Sequence, residues 1–147
     1  MATAAKDSIE DFESARALFF RLCLEADLVG VEKMLDDGYR VNRGDDDLYT
    51  ALHRVCERWE SNEKHLPIAE LLVARGANVD ADNPATDGWT PLHLAAWAGK
   101  ADACSFLLSE GATSFGDWYG QTPLQVAVYA GHEEAASVLR GQTRSRL

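Results

Sequence analysis

Apolar residues recur along this chain on one face of short helical segments, and polar turns separate these segments. Leu92, Ala95 and Ala96 share one face of the clearest segment. Cys104 and Leu108 share a face of the segment that follows it. Because alanine is small, a neighbouring helix can approach closely there. The pattern predicts paired short helices that pack against the next pair.

A four-residue phrase begins the first helix of each pair. It reads Thr50-Ala51-Leu52-His53, then Thr90-Pro91-Leu92-His93, then Thr122-Pro123-Leu124-Gln125. Threonine caps a helix, proline fits its first turn, and Gly99 and Gly131 are placed to end it. A period of roughly 33 residues is typical of a solenoid, in which no unit buries its apolar face alone.

The stretch from residue 87 to residue 112 reads DGWTPLHLAAWAGKADACSFLLSEGA, which resembles the ankyrin-repeat consensus. The resemblance extends over about residues 15–142. It implies an all-α ankyrin-repeat solenoid of helix-turn-helix units linked by β-hairpin-like loops. Function in such a protein lies on a surface rather than in an enclosed site.

The repeat spacing divides the chain into an N-terminal extension that starts a helical cap, four units and a short basic tail. The extension covers 1–14, the units cover about 15–44, 45–84, 85–116 and 117–142, and the tail covers 143–147. Phe12 and Phe19 continue a helical spacing in the cap, and Ser8 with Asp11 resembles a capping box. We expect the tail to fray.

Two insertions interrupt the period. The second unit is longer than the third between its threonine and its glycine, and the extra residues lie between Arg58 and His65. Because they are mostly polar, they predict a loop that bulges from one side of the stack. The next hairpin is also long, with Asn83-Pro84 as the expected insertion.

Composition narrows the function classes. The chain has 147 residues, a net charge of −10 and 46% hydrophobic residues, without a run long enough to span a bilayer. Met1 to Glu10 lacks the features of a signal peptide. An acidic protein repels nucleic acid and anionic lipid and attracts basic partners. Three cysteines without paired spacing indicate reduced thiols, hence the cytoplasm or the nucleus.

The sequence predicts no catalytic, cofactor-binding or metal-binding site. No histidine or cysteine pair has zinc spacing, and no nucleophile stands beside a base in a repeated context. His53 and His93 belong to the repeated phrase, where an imidazole links neighbouring turns. Asn42 resembles, weakly, the asparagine that some ankyrin proteins present to a hydroxylase.

The resemblance implies a partner-binding groove formed by hairpin tips and first helices. The positions that the fold leaves free there are largely aromatic or acidic. They are Asp46, Asp47, Tyr49, Asp87, Trp89, Trp97, Trp118, Tyr119 and Tyr129. Aromatic side chains dominate interface energetics. The alternative is that Trp89 and Trp118 cover neighbouring repeats as partly buried core.

These features predict a non-catalytic module that binds a basic or amphipathic protein segment, as a monomer or as a subunit of a hetero-complex. Acidic ankyrin proteins that shield ribosomal proteins are a precedent for an escort role, and the four-unit size resembles the small ankyrin inhibitors of cyclin-dependent kinases. The escort or assembly role is the first hypothesis. Inhibition of a protein kinase or another enzyme by surface occlusion is the second.

Overall fold

Eight α-helices in successive pairs form the part of the chain that the structure describes. This computed structural model describes the backbone of residues 2–145 and the side chains of 13–141. The helices are α1 (Ala2–Leu24), α2 (Leu28–Asp36), α3 (Ala51–Glu57), α4 (Asn62–Ala74), α5 (Pro91–Ala98), α6 (Ala101–Ser109), α7 (Pro123–Ala130) and α8 (Glu133–Ser145). Within the described range there is no extended strand, and one isolated bridge joins Asn83 to Trp89.

Reciprocal hydrogen bonds start the first helix of each of the last three units. The hydroxyl of Thr90 accepts the backbone N–H of His93 at 3.4 Å, and the imidazole Nδ1 of His93 accepts the N–H of Thr90 at 3.3 Å. The same arrangement begins α3 at Thr50 and α7 at Thr122. Loss of such a cap costs about 1 kcal/mol. The predicted helix starts are therefore confirmed.

Glycine ends α5 and α7, also as predicted. Gly99 and Gly131 adopt positive φ angles of 73° and 80°, which side-chain-bearing residues rarely adopt. Gly99 has a second constraint, because a Cβ atom there would lie 2.5 Å from Nδ1 of His132. The first helix can therefore turn back tightly against the second.

The hydrophobic core runs as one layer through the whole stack, from Phe19 in the cap to Leu139 in α8. α3 packs against α5 and α5 against α7, while α6 packs against α8. Leu52, Leu92 and Leu107 are fully buried between these helices, and each such side chain stabilises the fold by about 2 kcal/mol. The predicted all-α solenoid is confirmed.

The insertion between Arg58 and His65 is not a bulging loop, so that prediction is wrong. Ser61 caps α4, which begins at Asn62, and the inserted residues include the first turn of this helix. Trp59 is buried, and its indole N–H donates to Asn62 Oδ1 at 3.1 Å.

His65 ties this insertion to the cap. Its Nε2 lies 3.2 Å from the carbonyl oxygen of Leu24, and its Nδ1 accepts the N–H of Glu60 at 2.9 Å. Trp59 reaches the other way, with its ring centroid 5.8 Å from that of Phe106 in α6. The insertion therefore joins three units, and its polar composition concealed two anchoring rings.

Helices extend past both predicted ends of the repeat region. α1 is continuous through the expected boundary after residue 14, and α8 continues through Gly141 to Ser145. Gly76 and Gly111 end α4 and α6 at positive φ, because the chain must turn there into the next hairpin. Gly141, in contrast, lies inside α8. Residues 146–147 of the expected tail lie outside the described residues.

Candidate partner-binding surface

An aspartate folds the hairpin turn of the second and the fourth unit. Oδ1 of Asp45 accepts the backbone N–H groups of Asp47 and Tyr49, both at 3.0 Å. Asp117 repeats the arrangement for the residues two and four positions on, at 2.9 and 3.0 Å. These carboxylates are held by their own turns, which fixes the backbone of the hairpin tips.

Asn83 takes this place in the third unit. Its Oδ1 accepts the N–H of Ala85 at 2.8 Å, and its Nδ2 donates to the carbonyl oxygen of Asp47 at 2.8 Å. The inserted residues follow it as a single 3₁₀ turn, Pro84–Thr86. Asp87 then adopts a left-handed conformation with φ of 59°. The insertion predicted around Asn83-Pro84 thus lengthens the hairpin tip and leaves the buried turn residue in place.

Two buried histidines hold successive hairpins in register. Nε2 of His53 lies 3.0 Å from the carbonyl oxygen of Trp89, and Nε2 of His93 lies 2.8 Å from that of Gln121. Since a carbonyl only accepts, each Nε2 carries the proton. Burial lowers the pKa of His53 to about 4 and also lowers the pKa of His93, although these bonds oppose the shift. The predicted role of the repeated histidines in linking turns matches these contacts.

Arg54 pairs with three acidic side chains of the second unit. Its guanidinium donates to Asp45 Oδ2 at 2.7 Å, to Asp47 Oδ2 at 3.0 Å and to Glu57 Oε2 at 3.2 Å. It also lies over the ring of Tyr49, 4.4 Å from the ring centroid. One arginine therefore occupies both the acidic and the aromatic groups of this hairpin.

The second-unit residues expected on the free surface are largely committed to the fold. Tyr49 is only 9% exposed, so the expectation that it is free is wrong, because Arg54 covers its ring. The carboxylate of Asp46 pairs with Arg16 of the cap, and Asp47 pairs with Arg54. Both aspartates remain exposed, but each already has a cationic partner.

Trp89 connects the third unit to the fourth. Its ring stacks on His93 at a centroid distance of 5.8 Å, and its indole N–H donates to Asp117 Oδ2 at 3.0 Å. Burial acts to raise the pKa of Asp117, but hydrogen bonds from Gln121, Tyr119 and Trp89 outweigh it and lower that pKa. Trp89 is thus half-buried, as the alternative reading of this residue expected.

Four further aromatic side chains near these contacts are open to solvent. Trp97 is 47% exposed, Trp118 60%, Tyr119 82% and Tyr129 80%. Trp97 lies beside Trp89, with ring centroids 6.0 Å apart. We name the group of Trp89, Trp97, Trp118, Tyr119 and Tyr129 the aromatic stripe.

The fold brings the members of the stripe together through repeat symmetry. Trp97 and Tyr129 each lie two residues before the glycine that ends their helix, and their helices, α5 and α7, pack side by side. Trp118 packs across the preceding hairpin, where a Cβ atom at Gly88 would lie 2.4 Å from its ring. Its backbone N–H donates to the carbonyl oxygen of Asp87 at 2.8 Å. The exposed Asp87 therefore lies next to the stripe.

A family model for ankyrin repeats, spanning three copies, matches residues 52–144. The chain belongs to the ankyrin-repeat family. It is also similar to the RelA-associated inhibitor of Mus musculus, with 33% identity over 99 residues, which cover 64% of this chain and 11% of that relative. The chain therefore spans about a tenth of the relative's length. Its repeats form a protein-protein interaction module.

Charge is unevenly distributed over the ankyrin repeats. Between residues 84 and 134 there are six carboxylate side chains, no arginine and a single lysine, Lys100. The aromatic stripe falls inside this range. Arg54 and Arg58 lie in the second unit, whose hairpin acids are paired. This range therefore carries a net negative charge, and two of its acidic residues, Asp87 and Asp117, contact residues of the stripe.

The remaining candidate chemistry is structural. Cys23, Cys56 and Cys104 are buried, and burial raises their thiol pKa values, to about 12 for Cys23 and Cys104. Among the described residues, no cluster of three His, Cys, Asp or Glu side chains is arranged to hold a metal ion. Of the helices in residues 2–145, none is both long and apolar enough to cross a membrane.

Asn42 uses its amide to join two hairpins of the ankyrin stack. Its Nδ2 donates to the carbonyl oxygen of Gly76 at 2.9 Å, and its Oδ1 accepts the N–H of Asn78 at 2.8 Å. These contacts give the side chain a role within the fold.

Sequence reasoning missed Arg54, which covers Tyr49 and pairs with the carboxylates of the second unit. A signal was present, because Leu94 and Val126 occupy the same position of the phrase in the next two units. An arginine at a position that is otherwise apolar indicates a local acidic partner. The pairing of Arg16 with Asp46 carried no comparable signal, since these residues are 30 positions apart.

Proposed function

We propose that this protein is a non-catalytic interaction module that binds a basic or amphipathic segment of a partner protein on its aromatic stripe. The observation that carries the proposal is the exposure of Trp97, Trp118, Tyr119 and Tyr129 within a range that contains one cation. Clustered exposed aromatic rings on a small domain mark an interaction site.

The fold does not require these rings where they are. The residue that corresponds to Trp97 in the second unit is Glu57, which supports the same helix position without an aromatic group. At an interface, truncation of a central tryptophan or tyrosine costs on the order of 2 kcal/mol. A negative surround adds attraction for a positively charged segment and raises its association rate.

The partner is bound as part of an assembly or is escorted by this protein before assembly. In either role the module works in the cytoplasm, the nucleus or both, where buried free thiols such as Cys56 stay reduced. The acidic surround favours a basic protein segment over nucleic acid as the ligand.

Site-specific photo-crosslinking in cells tests this proposal. A photoreactive phenylalanine analogue replaces Tyr119 or Tyr129 in the stripe, and Val29 on α2 serves as a control of similar exposure. We expect the same crosslinked proteins from positions 119 and 129 and none of them from position 29. Crosslinks from position 29 alone would place the binding surface elsewhere.

A second candidate is inhibition of a protein kinase or another protein by occlusion of its surface. The observation that favours it is the similarity to a relative that is named as an inhibitor associated with RelA. Purified RelA is therefore a direct probe. Binding of RelA that is lost in Trp97→Ala and kept in Val29→Ala would support occlusion through the stripe. Absence of RelA binding, with crosslinks to other proteins, would favour the escort or assembly role.

A further inference from the structure

The second unit shows how this scaffold holds a guanidinium group. Arg54 lies 4.4 Å over the ring of Tyr49 and bonds to Asp45, Asp47 and Glu57 at 2.7, 3.0 and 3.2 Å. The cation is thus stacked on one face and paired with carboxylates at its edge. This combination suits the planar, weakly hydrated guanidinium of arginine.

The third unit keeps an aromatic ring but has neither the arginine nor two of its carboxylate partners, because Asn83 takes the place of Asp45 and Trp97 that of Glu57. Leu94 stands at the position of Arg54, and Trp89 stands at the position of Tyr49. The range 84–134 contains no arginine. The guanidinium that the second unit supplies internally is therefore missing from the part of the chain that carries the stripe.

The aromatic and acidic groups of the third and fourth units are contiguous. Trp97 lies 6.0 Å from Trp89 between ring centroids, and the indole of Trp89 bonds to Asp117 at 3.0 Å. Trp118 follows in the chain and bonds through its backbone to the carbonyl of Asp87 at 2.8 Å. Exposed indole faces and the exposed carboxylate of Asp87 thus lie along one continuous surface.

We infer that the stripe recognises an arginine side chain of the partner segment. The guanidinium stacks on the exposed indole of Trp118, which lies against the hairpin of Asp87, and pairs with the carboxylate of Asp87. The inference rests on the proposed function and specifies the ligand of the same surface. Arginine is favoured over lysine because it stacks on an aromatic face while its edge bonds to a carboxylate.

Titration with short peptides tests the inference directly. The probes are a Gly/Ser peptide with two arginines and matched peptides that carry lysine, citrulline or glutamate instead. Two-dimensional NMR resolves the indole N–H signals, and we expect that of Trp118 to shift with the arginine peptide. The indole of Trp59, which is buried and bonded to Asn62, is an internal reference that stays in place.

The affinities of the four peptides then show which chemical features of the arginine side chain the stripe recognises. We expect the arginine peptide to bind about three-fold more tightly than the lysine peptide, from the stacking term alone. Loss of charge in citrulline is expected to weaken binding about ten-fold, as a charge-assisted bond is lost. Trp118→Ala and Asp87→Asn should each reduce affinity for the arginine peptide, while Val29→Ala should not. Asn keeps the left-handed turn at position 87.

The outcomes test the arginine assignment and the proposed function separately. Equal or tighter binding of the lysine, citrulline or glutamate peptide overturns the arginine assignment, and so does undetectable binding of the arginine peptide. If crosslinks from positions 119 and 129 are still found in that case, the proposed function stands, but the stripe does not recognise arginine. If the arginine peptide binds at the stripe but no protein is crosslinked in cells, the arginine assignment is supported and the proposed function in cells is contradicted.

Discussion

The second and third repeats share the same backbone arrangement, but the second covers its surface residues with its own side chains and the third leaves them exposed. In the second, Arg54 covers the ring of Tyr49 and pairs with Asp45 and Asp47, so these groups already have a partner in their own unit. In the third, Trp97 replaces Glu57 and remains half-exposed beside Trp89. The difference teaches that a repeat position assigned to binding by symmetry is available only where the chain has not filled it itself.

The largest effect should separate the buried tryptophan of the second unit from an exposed one. Trp59→Ala removes a ring that is 3% exposed and packs toward Phe106, so we expect a loss of about 3 to 4 kcal/mol in the free energy of unfolding. The matched change Trp118→Ala should cost below about 1 kcal/mol. Urea denaturation of both variants measures this, and equal losses would contradict the comparison.

Acid should weaken the histidine links between hairpins. In the folded chain His53 has a pKa of about 4, because it is buried, against 6.5 for the solvent-exposed imidazole of the unfolded chain. The unfolded state thus binds the proton first, and stability falls as the pH drops from 6.5 toward 4, by at most about 1.4 kcal/mol per pH unit for each such histidine.

His53→Gln removes this titration, since glutamine already serves as the capping partner at position 125. We expect the variant to be less stable at pH 7 but to lose less stability than the wild type between pH 6.5 and 4. Denaturant melts at several pH values provide the measurement. Parallel curves for the two proteins would show that His53 does not carry the acid sensitivity.

Arg54→Met should open the second unit. The change keeps much of the side-chain volume but leaves three carboxylates next to one another, so we expect a loss of about 2 kcal/mol in stability. Arg140→Met, which removes a cation bonded to Glu133 on the exposed side of α8, is the control and should change little. An unchanged melting temperature in Arg54→Met would mean that the network is dispensable.

Trp97→Ala should act on binding and leave the fold nearly unchanged. We expect partner affinity to fall by about 2 kcal/mol, because the ring is exposed and central in the stripe. Calorimetry with the partner identified by crosslinking, together with a thermal melt, tests both halves of this statement. Unfolding of the variant, with normal affinity in its folded fraction, would identify Trp97 as a core residue.

The smallest effect should distinguish free from paired aspartates. Asp87→Asn is expected to slow association with a basic partner, and the loss should shrink as salt rises, because exposed charges are screened beyond about 8 Å at physiological ionic strength. Asp46→Asn should matter less, since Arg16 already pairs with this carboxylate. Association rates at two salt concentrations decide it, and equal effects would remove the distinction between the units.

Local sequence signals were enough for the helices but not for the surface. Thr90, Pro91 and Gly99 act within a few residues of each other, so their roles could be read from spacing alone. Tyr49 and Trp89 occupy one repeat position, yet Arg54 covers only the first. Burial at such a position depends on a side chain from another part of the unit, which a repeat alignment does not show.

The prediction of a bulging loop between the second unit's helices was wrong for a related reason. His65 bonds to Leu24, 41 positions away, and a contact at that separation leaves no periodic trace. Asn83 was hidden because an amide replaced the aspartate of the other turns. Long-range pairing and chemical substitution within a conserved geometry were thus the parts that the sequence did not predict.

The bond between Trp89 and Asp117 sets how the stripe meets a ligand. A flexible side chain that becomes ordered at an interface costs about 0.5 to 1.5 kcal/mol, and Trp89 has already lost that freedom in the unbound protein. Tyr119 and Tyr129, each at least 80% exposed, still have it. The surface therefore combines a rigid centre with an adaptable margin, so it should discriminate sharply at one position of a bound segment and tolerate variation on either side.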